Sequence, residues 1–143
     1  MNPIDPRRQF DWKFPATLNN VEQVCSGALK VLEKYSLHKK DQFAVELLLR
    51  EAINNAFMHG CHRDPLLFFS CSLVISEKEV IIAVSDEGTG FDWRRKPESL
   101  PKSSCESGRG LCIYSIYANS IIYNDRGNCV TLTRIFNQGD KGE

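Results

Sequence analysis

A carboxylate and a carboxamide four residues apart, Glu51 and Asn55, are the first residues in this sequence whose types and spacing could do chemistry. They lie in a segment whose apolar residues recur at helical spacing, so both side chains should lie on one helix face, one turn apart. An amide oxygen can bind Mg²⁺, and a neighbouring carboxylate can accept a proton from a hydroxyl group that attacks phosphorus. From this pair alone, a solvated polar face on an amphipathic helix is the commoner explanation.

A second candidate follows a predicted strand, where Asp86 precedes Gly88 and Gly90. A carboxylate at a strand end can accept a hydrogen bond from an exocyclic amino group such as that of adenine. The two glycines let the backbone bend and let a ligand approach it closely. An ordinary turn that ends a strand would give the same pattern.

A third candidate is a glycine-bearing segment that leads into a predicted helix. Glycines at a helix N-terminus expose backbone N–H groups and the positive end of the helix dipole, which together bind anions. An arginine between them suits a phosphate, although a flexible hinge before an ordinary helix remains the alternative. The pattern is neither a P-loop nor the glycine fingerprint of a dinucleotide fold. The residues of this segment are Ser107, Gly108, Arg109, Gly110 and Leu111.

The elements that must position these candidates follow from the hydrophobic pattern. Residues 7–16 alternate charged and aromatic side chains, which predicts a strand with Phe10, Trp12 and Phe14 on its buried face. Two helices are predicted next, one from a cap at Thr17 or Asn19 to about Tyr35 and one from a cap at Asp41 to Gly60. Two hairpins and a third helix complete the prediction, with strands at 66–75, 79–86, 120–124 and 128–136 and the helix at 110–119.

These elements predict an α/β two-layer sandwich, a mixed and mostly antiparallel sheet with three helices on one face. We expect a single domain over residues 1–143, with its core at about 10–136. Residues 87–109 have little apolar periodicity, and a loop of that length is usually a functional lid or a mobile segment. The aromatic edge strand makes a partner on the other sheet face plausible.

Composition excludes several classes of function. The 143 residues carry a formal net charge of zero, so no bulk attraction to nucleic acid or to an anionic membrane is expected. No apolar run approaches the roughly 20 residues that span a bilayer, and the N-terminus has no apolar signal core. We therefore expect a soluble, cytoplasmic protein.

The six cysteines are interpreted as small buried hydrophobic residues of a reducing compartment. His59, Cys61 and His62 are close together in the sequence, but a second ligand pair at zinc-site spacing is missing. A metal cluster at this position is therefore not expected.

The three candidate segments together resemble the N box and the two glycine boxes of the Bergerat ATP-binding fold, which histidine kinases, gyrase and MutL share. The matching stretches are REAINNAFMHG, SDEGTGFDW and SGRGL, in this order. Within that fold the sequence is most similar to the bacterial anti-sigma factor serine/threonine kinases, over about residues 10–136. The three boxes together are specific, whereas any one of them alone would be weak.

The resemblance implies a role for each matching residue. Glu51 corresponds to the catalytic base, Asn55 to the Mg²⁺ ligand and Asp86 to the carboxylate that binds adenine, while His59 and Gly60 complete the N box as structural residues. The residues implied to bind ATP are Asn55, Asp86, Gly88, Gly90, Phe91, Ser107, Gly108, Arg109, Gly110 and Leu111.

The sequence departs from the family pattern at two places. Some members carry a threonine after the glycine of the last hairpin, where this chain has Asn128 and Cys129 after Gly127. The segment at 92–107, which corresponds to the ATP lid, lacks the threonine-lysine pattern of some members. Its Lys96 and Lys102 are interpreted as solvated charges.

The function implied by the resemblance is that of a Mg·ATP-dependent protein serine/threonine kinase. Its substrate would be an anti-sigma-factor antagonist, and the same domain, usually a homodimer in this family, would also hold a sigma factor. Two alternatives remain open. One is a regulator that binds ATP and its partner without phosphotransfer. The other is a detached histidine-kinase catalytic domain, which His38 and His62 in predicted turns do not favour as phospho-acceptors.

Overall fold

The strands of the computed structural model, which describes residues 7–88 and 109–136, form one sheet with the order β1-β2-β3-β5-β4. Every ladder between the described strands is antiparallel. The predicted α/β architecture is confirmed, and the first predicted strand lies at a sheet edge, as expected. The bounds are β1 Arg8–Pro15, β2 Phe68–Ile75, β3 Glu79–Asp86, β4 Ser120–Tyr123 and β5 Cys129–Ile135.

The three predicted helices are present as α1 Leu18–Glu33, α2 Lys39–Asn55 and α3 Arg109–Tyr117. Thr17 caps α1 as predicted, because its hydroxyl accepts a hydrogen bond from the Asn20 N–H at 3.1 Å. The predicted cap of α2 at Asp41 is wrong. That helix begins after His38, whose Nδ1 accepts from the Lys40 N–H at 3.4 Å.

The predicted continuation of α2 to Gly60 takes an unexpected form. The helix is followed without a break by one turn of π-helix, Ala56–Gly60, called the π-turn below. Its wider winding is set by a hydrogen bond from the Cys61 N–H to the Ala56 carbonyl at 2.7 Å. Single π-helical turns of this kind occur frequently at functional sites.

The core lies between the helices and one face of the sheet. Alternate residues of β2 and β3 are buried, as the period of two requires, while their neighbours on the opposite face are only half-buried. Phe69 and Leu73 of β2 pack in the same cluster as Val24 of α1 and Leu48 of α2. The aromatic residues of β1 are half-buried and pack against this cluster, so their prediction as inward-facing residues is confirmed.

A buried ion pair holds α2, α3 and β5 together. The Asp41 side chain, 2% exposed, accepts from the Arg134 Nη2 at 2.9 Å, and the Arg134 Nη1 donates to the Tyr117 carbonyl at 2.8 Å. One guanidinium group therefore links the first turn of α2 to the last turn of α3, which fixes how α3 lies on α2. This is why Asp41 faces inward and does not cap its helix.

The cysteines that the structure describes are unpaired thiols. Cys25, Cys61 and Cys71 are buried as predicted, whereas Cys129 is only half-buried. Burial raises the pKa of Cys25 to about 11 and that of Cys71 to about 12. Within residues 7–88 and 109–136, no cluster of three or more potential metal-binding side chains occurs. In the same residues, no helix is both long enough and apolar enough to cross a membrane.

Candidate functional site

The π-turn presses Gly60 against the carboxylate of Asp86 at the end of β3. A Cβ atom at Gly60 would overlap the Asp86 Cγ and Oδ2, and a Cβ atom at Gly88 would overlap the Gly60 carbonyl oxygen. Neither glycine has a positive φ, so the requirement here is space and not backbone conformation. The three residues form a close contact between a helix end and a strand end, called the glycine cradle below.

The Asp86 carboxylate is half-buried in this cradle, and its Oδ1 accepts from the Gly88 N–H at 2.8 Å. Burial raises the pKa of Asp86, and the Gly88 N–H, Arg126 and His62 partly offset that shift. An ionised carboxylate is an acceptor only. The cradle therefore suits a ligand that presents a neutral N–H donor, such as an aromatic amino group.

The hairpin between β4 and β5 holds the strand end from the other side. The Asn128 Nδ2 donates to the Asp86 carbonyl at 2.9 Å, while the Asp86 N–H donates to the Asn128 carbonyl at 3.0 Å. The Arg126 Nη2 donates to the Gly88 carbonyl at 3.3 Å. In turn, the Asn124 side chain accepts from the Asn128 N–H at 3.0 Å, in a turn that Gly127 closes with a φ of 77°. The asparagine that stands where some family members have threonine thus braces the Asp86 backbone.

The sequence predicts neither Arg126 nor Asn128 as a site residue. The only local signal is the turn around Gly127, and a turn of that kind connects many hairpins. What identifies the two residues is their contact with β3, about 40 positions earlier in the chain.

Glu51 and Asn55 are half-buried on α2, one turn apart as predicted. The Asn55 Nδ2 donates to the hydroxyl of Tyr114, a buried residue of α3, at 3.2 Å. Burial is the main reason that the pKa of Tyr114 is raised, and the negative charge of Glu51 adds to the shift. Glu51, Asn55 and Tyr114 therefore lie together where α2 meets α3.

The residues present fit a magnesium ion bound with phosphates. Because the Asn55 nitrogen is engaged by Tyr114, the amide oxygen is left as the acceptor for a cation. A carboxylate, that of Glu51, lies within electrostatic range of the same tyrosine. An amide oxygen is among the ligands that Mg²⁺ takes, and substrate phosphates and water usually complete its shell.

The structure places the predicted residues along one continuous path. Asn55 ends α2, the π-turn follows it directly, and Gly60 at the end of that turn contacts Asp86. The helix α3 begins at Arg109, so Arg109, Gly110 and Leu111 form its first turn and do not precede it. The predicted residues Gly90, Phe91, Ser107 and Gly108, together with Lys96 and Lys102, lie outside the described residues.

The segment that contains His59, Cys61 and His62 connects the π-turn to β2. The buried Cys61 thiol lies 3.5 Å from the Phe68 carbonyl, to which it donates. His62 and Arg63 adopt left-handed φ angles of 54° and 60°, which turn the chain toward β2. His59 is exposed.

Comparison with known proteins gives a matching family model and several similar relatives. A family model for the histidine kinase-like ATPase domain matches residues 14–134. The anti-sigma F factor of Geobacillus stearothermophilus is 31% identical over 88 residues, which cover 59% of this chain and 60% of that protein. The anti-sigma F factor of Oceanobacillus iheyensis is 29% identical over 97 residues, or 63% of this chain and 66% of the relative. The chain thus spans about three fifths to two thirds of the length of these relatives.

Proposed function

The chain belongs to the histidine kinase-like ATPase family, and we propose that it is an anti-sigma factor with Mg·ATP-dependent protein serine/threonine kinase activity. Its substrate is an anti-sigma-factor antagonist protein, which it phosphorylates, and its second partner is a sigma factor, which it sequesters. The relatives named anti-sigma F factor support this assignment. By the same analogy we propose that it works as a homodimer in the cytoplasm.

The glycine cradle is the observation that carries the nucleotide part of the proposal. Two glycines leave room for a half-buried carboxylate at a strand end, and its Oδ1 already accepts one backbone N–H at 2.8 Å. The remaining lone pairs of Asp86 can accept the 6-amino group of adenine. Guanine presents a carbonyl oxygen at the equivalent position, so the cradle favours adenine nucleotides.

The phosphate end of the nucleotide is assigned to the region where α2 meets α3. We assign the Asn55 amide oxygen to Mg²⁺, which when bound neutralises charge on the β- and γ-phosphates. Arg109 and Gly110, in the first turn of α3, are assigned to the phosphates, because a helix N-terminus attracts anions.

In the transfer step, the carboxylate of Glu51 takes the proton of the substrate serine hydroxyl. The serine oxygen bonds to the γ-phosphorus as the bond from that phosphorus to the β–γ bridging oxygen breaks, and ADP leaves. Glu51 is half-buried on the same helix as Asn55, which keeps the base one helical turn from the proposed metal ligand.

The proposal is tested with the purified chain, radiolabelled ATP and the small protein that co-purifies with it from its native cell. We expect ADP and a phosphoserine in that protein. Glu51→Gln should abolish transfer and leave ADP affinity within about twofold, because the base does not bind the nucleotide ground state. Glu46→Gln is the matched control, since Glu46 lies on the same helix and pairs with Arg50 at 3.3 Å.

Transfer at the normal rate by Glu51→Gln would refute the role of the base. Nucleotide binding and partner capture without any phosphoserine would instead identify a regulator that binds without phosphotransfer. Failure to bind adenine nucleotides at all would contradict both the kinase and the ATP-binding regulator.

A further inference from the structure

Tyr114 holds the nitrogen end of the Asn55 side-chain amide. The tyrosine is 2% exposed, and its hydroxyl oxygen lies 3.2 Å from the Asn55 Nδ2, which donates to it. The contact crosses from α3 to α2 over 59 positions of sequence. Among the described residues, it is the side-chain contact that joins the proposed metal ligand to the helix of the second glycine segment.

An asparagine amide has two chemically different ends. Its oxygen can bind a cation, whereas its NH₂ group carries two donor hydrogens and repels one. Rotation about the last side-chain bond exchanges the two ends, because that torsion is broad and roughly two-fold. A partner fixed on one side of the amide therefore turns the end that it contacts away from the cation. The Tyr114 hydroxyl can donate as well as accept, and in the structure it accepts from the nitrogen end.

Tyr114 is well placed to make that selection, because α3 cannot shift freely on α2. The last turn of α3 is held through its Tyr117 carbonyl by Arg134, which is itself paired with Asp41 of α2. The backbone N–H of Ala118 also donates to the Tyr114 carbonyl at 2.9 Å, which keeps this part of the helix wound. The tyrosine ring thus extends from an anchored helix.

We propose that Tyr114 is a positioning residue, which holds the Asn55 amide with its oxygen, and not its nitrogen, toward the Mg²⁺ of bound ATP. The inference rests on the proposed Mg·ATP binding and goes beyond it, because no ATP-binding role attaches to Tyr114 itself. It also makes the orientation of the metal ligand depend on α3, the helix that begins at Arg109 next to the proposed phosphate segment.

The test is the Mg²⁺ dependence of ATP affinity, measured by titration calorimetry over a series of Mg²⁺ concentrations. Tyr114→Phe keeps the ring and removes the hydroxyl. We expect it to raise the Mg²⁺ concentration for half-maximal ATP binding by about threefold to tenfold, the range for one hydrogen bond. ATP affinity without Mg²⁺ should remain that of the unmodified chain.

Two further variants separate positioning from structure. Tyr117→Phe, one turn later on α3, should leave the Mg²⁺ requirement unchanged, because the Tyr117 ring packs edge-on against Phe43. Asn55→Asp replaces the amide by a carboxylate with two equivalent oxygens. In that background the hydroxyl can donate to one oxygen while the other faces the cation, so Tyr114→Phe should change the Mg²⁺ requirement less than it does with Asn55.

Each outcome decides one statement. If the unmodified chain binds ATP with a Mg²⁺ dependence that Tyr114→Phe does not alter, the positioning role is wrong and the proposed function stands. If Tyr114→Phe weakens ATP equally with and without Mg²⁺, or acts as strongly in the Asn55→Asp background, the tyrosine is merely structural and the inference is again overturned. If the unmodified chain shows no Mg²⁺-dependent ATP binding, the proposed function fails.

Discussion

Replacing Gly60 by alanine should move the carboxylate of Asp86 without touching any other proposed ligand. The added methyl group needs the space that the Asp86 Cγ and Oδ2 occupy. Gly60 does not have a positive φ, so alanine is compatible with its backbone and the effect is confined to that clash. The short aspartate side chain relieves the clash by rotating away, which removes its acceptor atoms from the cradle.

The expected magnitude follows from the hydrogen bonds that this rotation breaks. A hydrogen bond to a charged group contributes about 1.5–3 kcal/mol. Loss of the bond from the adenine amino group therefore weakens ADP about 10- to 150-fold, at about 1.4 kcal/mol per factor of ten. The free energy of unfolding should fall by less than the free energy of ADP binding. The bond from the Gly88 N–H to Asp86 is lost as well, but alanine gains about 1 kcal/mol over glycine in a helical turn.

Calorimetric titration with ADP and urea denaturation of the same samples measure the two quantities. Gly27→Ala is the matched control, because Gly27 lies on α1 and a Cβ atom there would approach the Trp12 Nε1 at 3.1 Å, far from β3 in sequence. ADP affinity should be unchanged in that control. Normal ADP affinity in Gly60→Ala, or an equal loss in both variants, would refute the assignment of the cradle to adenine.

Three other outcomes are expected. Arg134→Met should lower the free energy of unfolding by about 3–5 kcal/mol in urea, because it leaves the buried Asp41 carboxylate without its cation; a loss below about 1 kcal/mol would contradict this. Because the pKa of Asp86 is raised, ADP affinity should fall on acidification at a pH above the ordinary aspartate value of about 3.9, and Asp86→Asn should lose this dependence. Because the pKa of Asp86 is raised, the folded state binds the proton of the Asp86 carboxyl group more tightly than the unfolded state does. Acidification therefore reduces the free-energy cost of burying Asp86 and does not itself destabilise the fold through this group. Iodoacetamide at pH 8 should leave Cys25 and Cys71 unmodified until denaturant is added, since their pKa values are raised to about 11 and about 12; rapid labelling of the native chain would contradict their burial.

Most of the fold could be predicted because the local signals agree with the tertiary structure. The bounds of β3 match the prediction, since a run of apolar and β-branched residues lies there between two turns. The Thr17 cap is also a local signal, and its hydroxyl contacts an N–H only three positions away. Patterns that act over a few residues are visible in a sequence, whatever the rest of the chain does.

The errors arise where a distant residue, or a local turn without a periodic signal, decides the outcome. Asp41 has the residue type of a helix cap, but Arg134, 93 positions later, draws it inward. The strand β2 begins at Phe68, two residues later than predicted, because Asp64 accepts from the Leu66 N–H at 2.9 Å and holds the preceding residues in a turn. Apolar residues such as Leu66 resemble strand residues in the sequence, but they precede β2 and do not pair with another strand in the sheet.

The candidate site divides in the same way between side chains proposed to face a ligand and side chains that hold backbone. Glu51, Asn55 and Asp86 could be proposed from the sequence because the roles proposed for them restrict their residue types. Arg126 and Asn128 bind the carbonyl oxygens of Gly88 and Asp86. Many residue types can donate a hydrogen bond to a carbonyl group. The residue types at these two positions therefore do not reveal this role in the sequence. Asn128, the residue after Gly127, therefore holds the strand end through the Asp86 carbonyl, while the proposed ligand-facing carboxylate lies in the cradle.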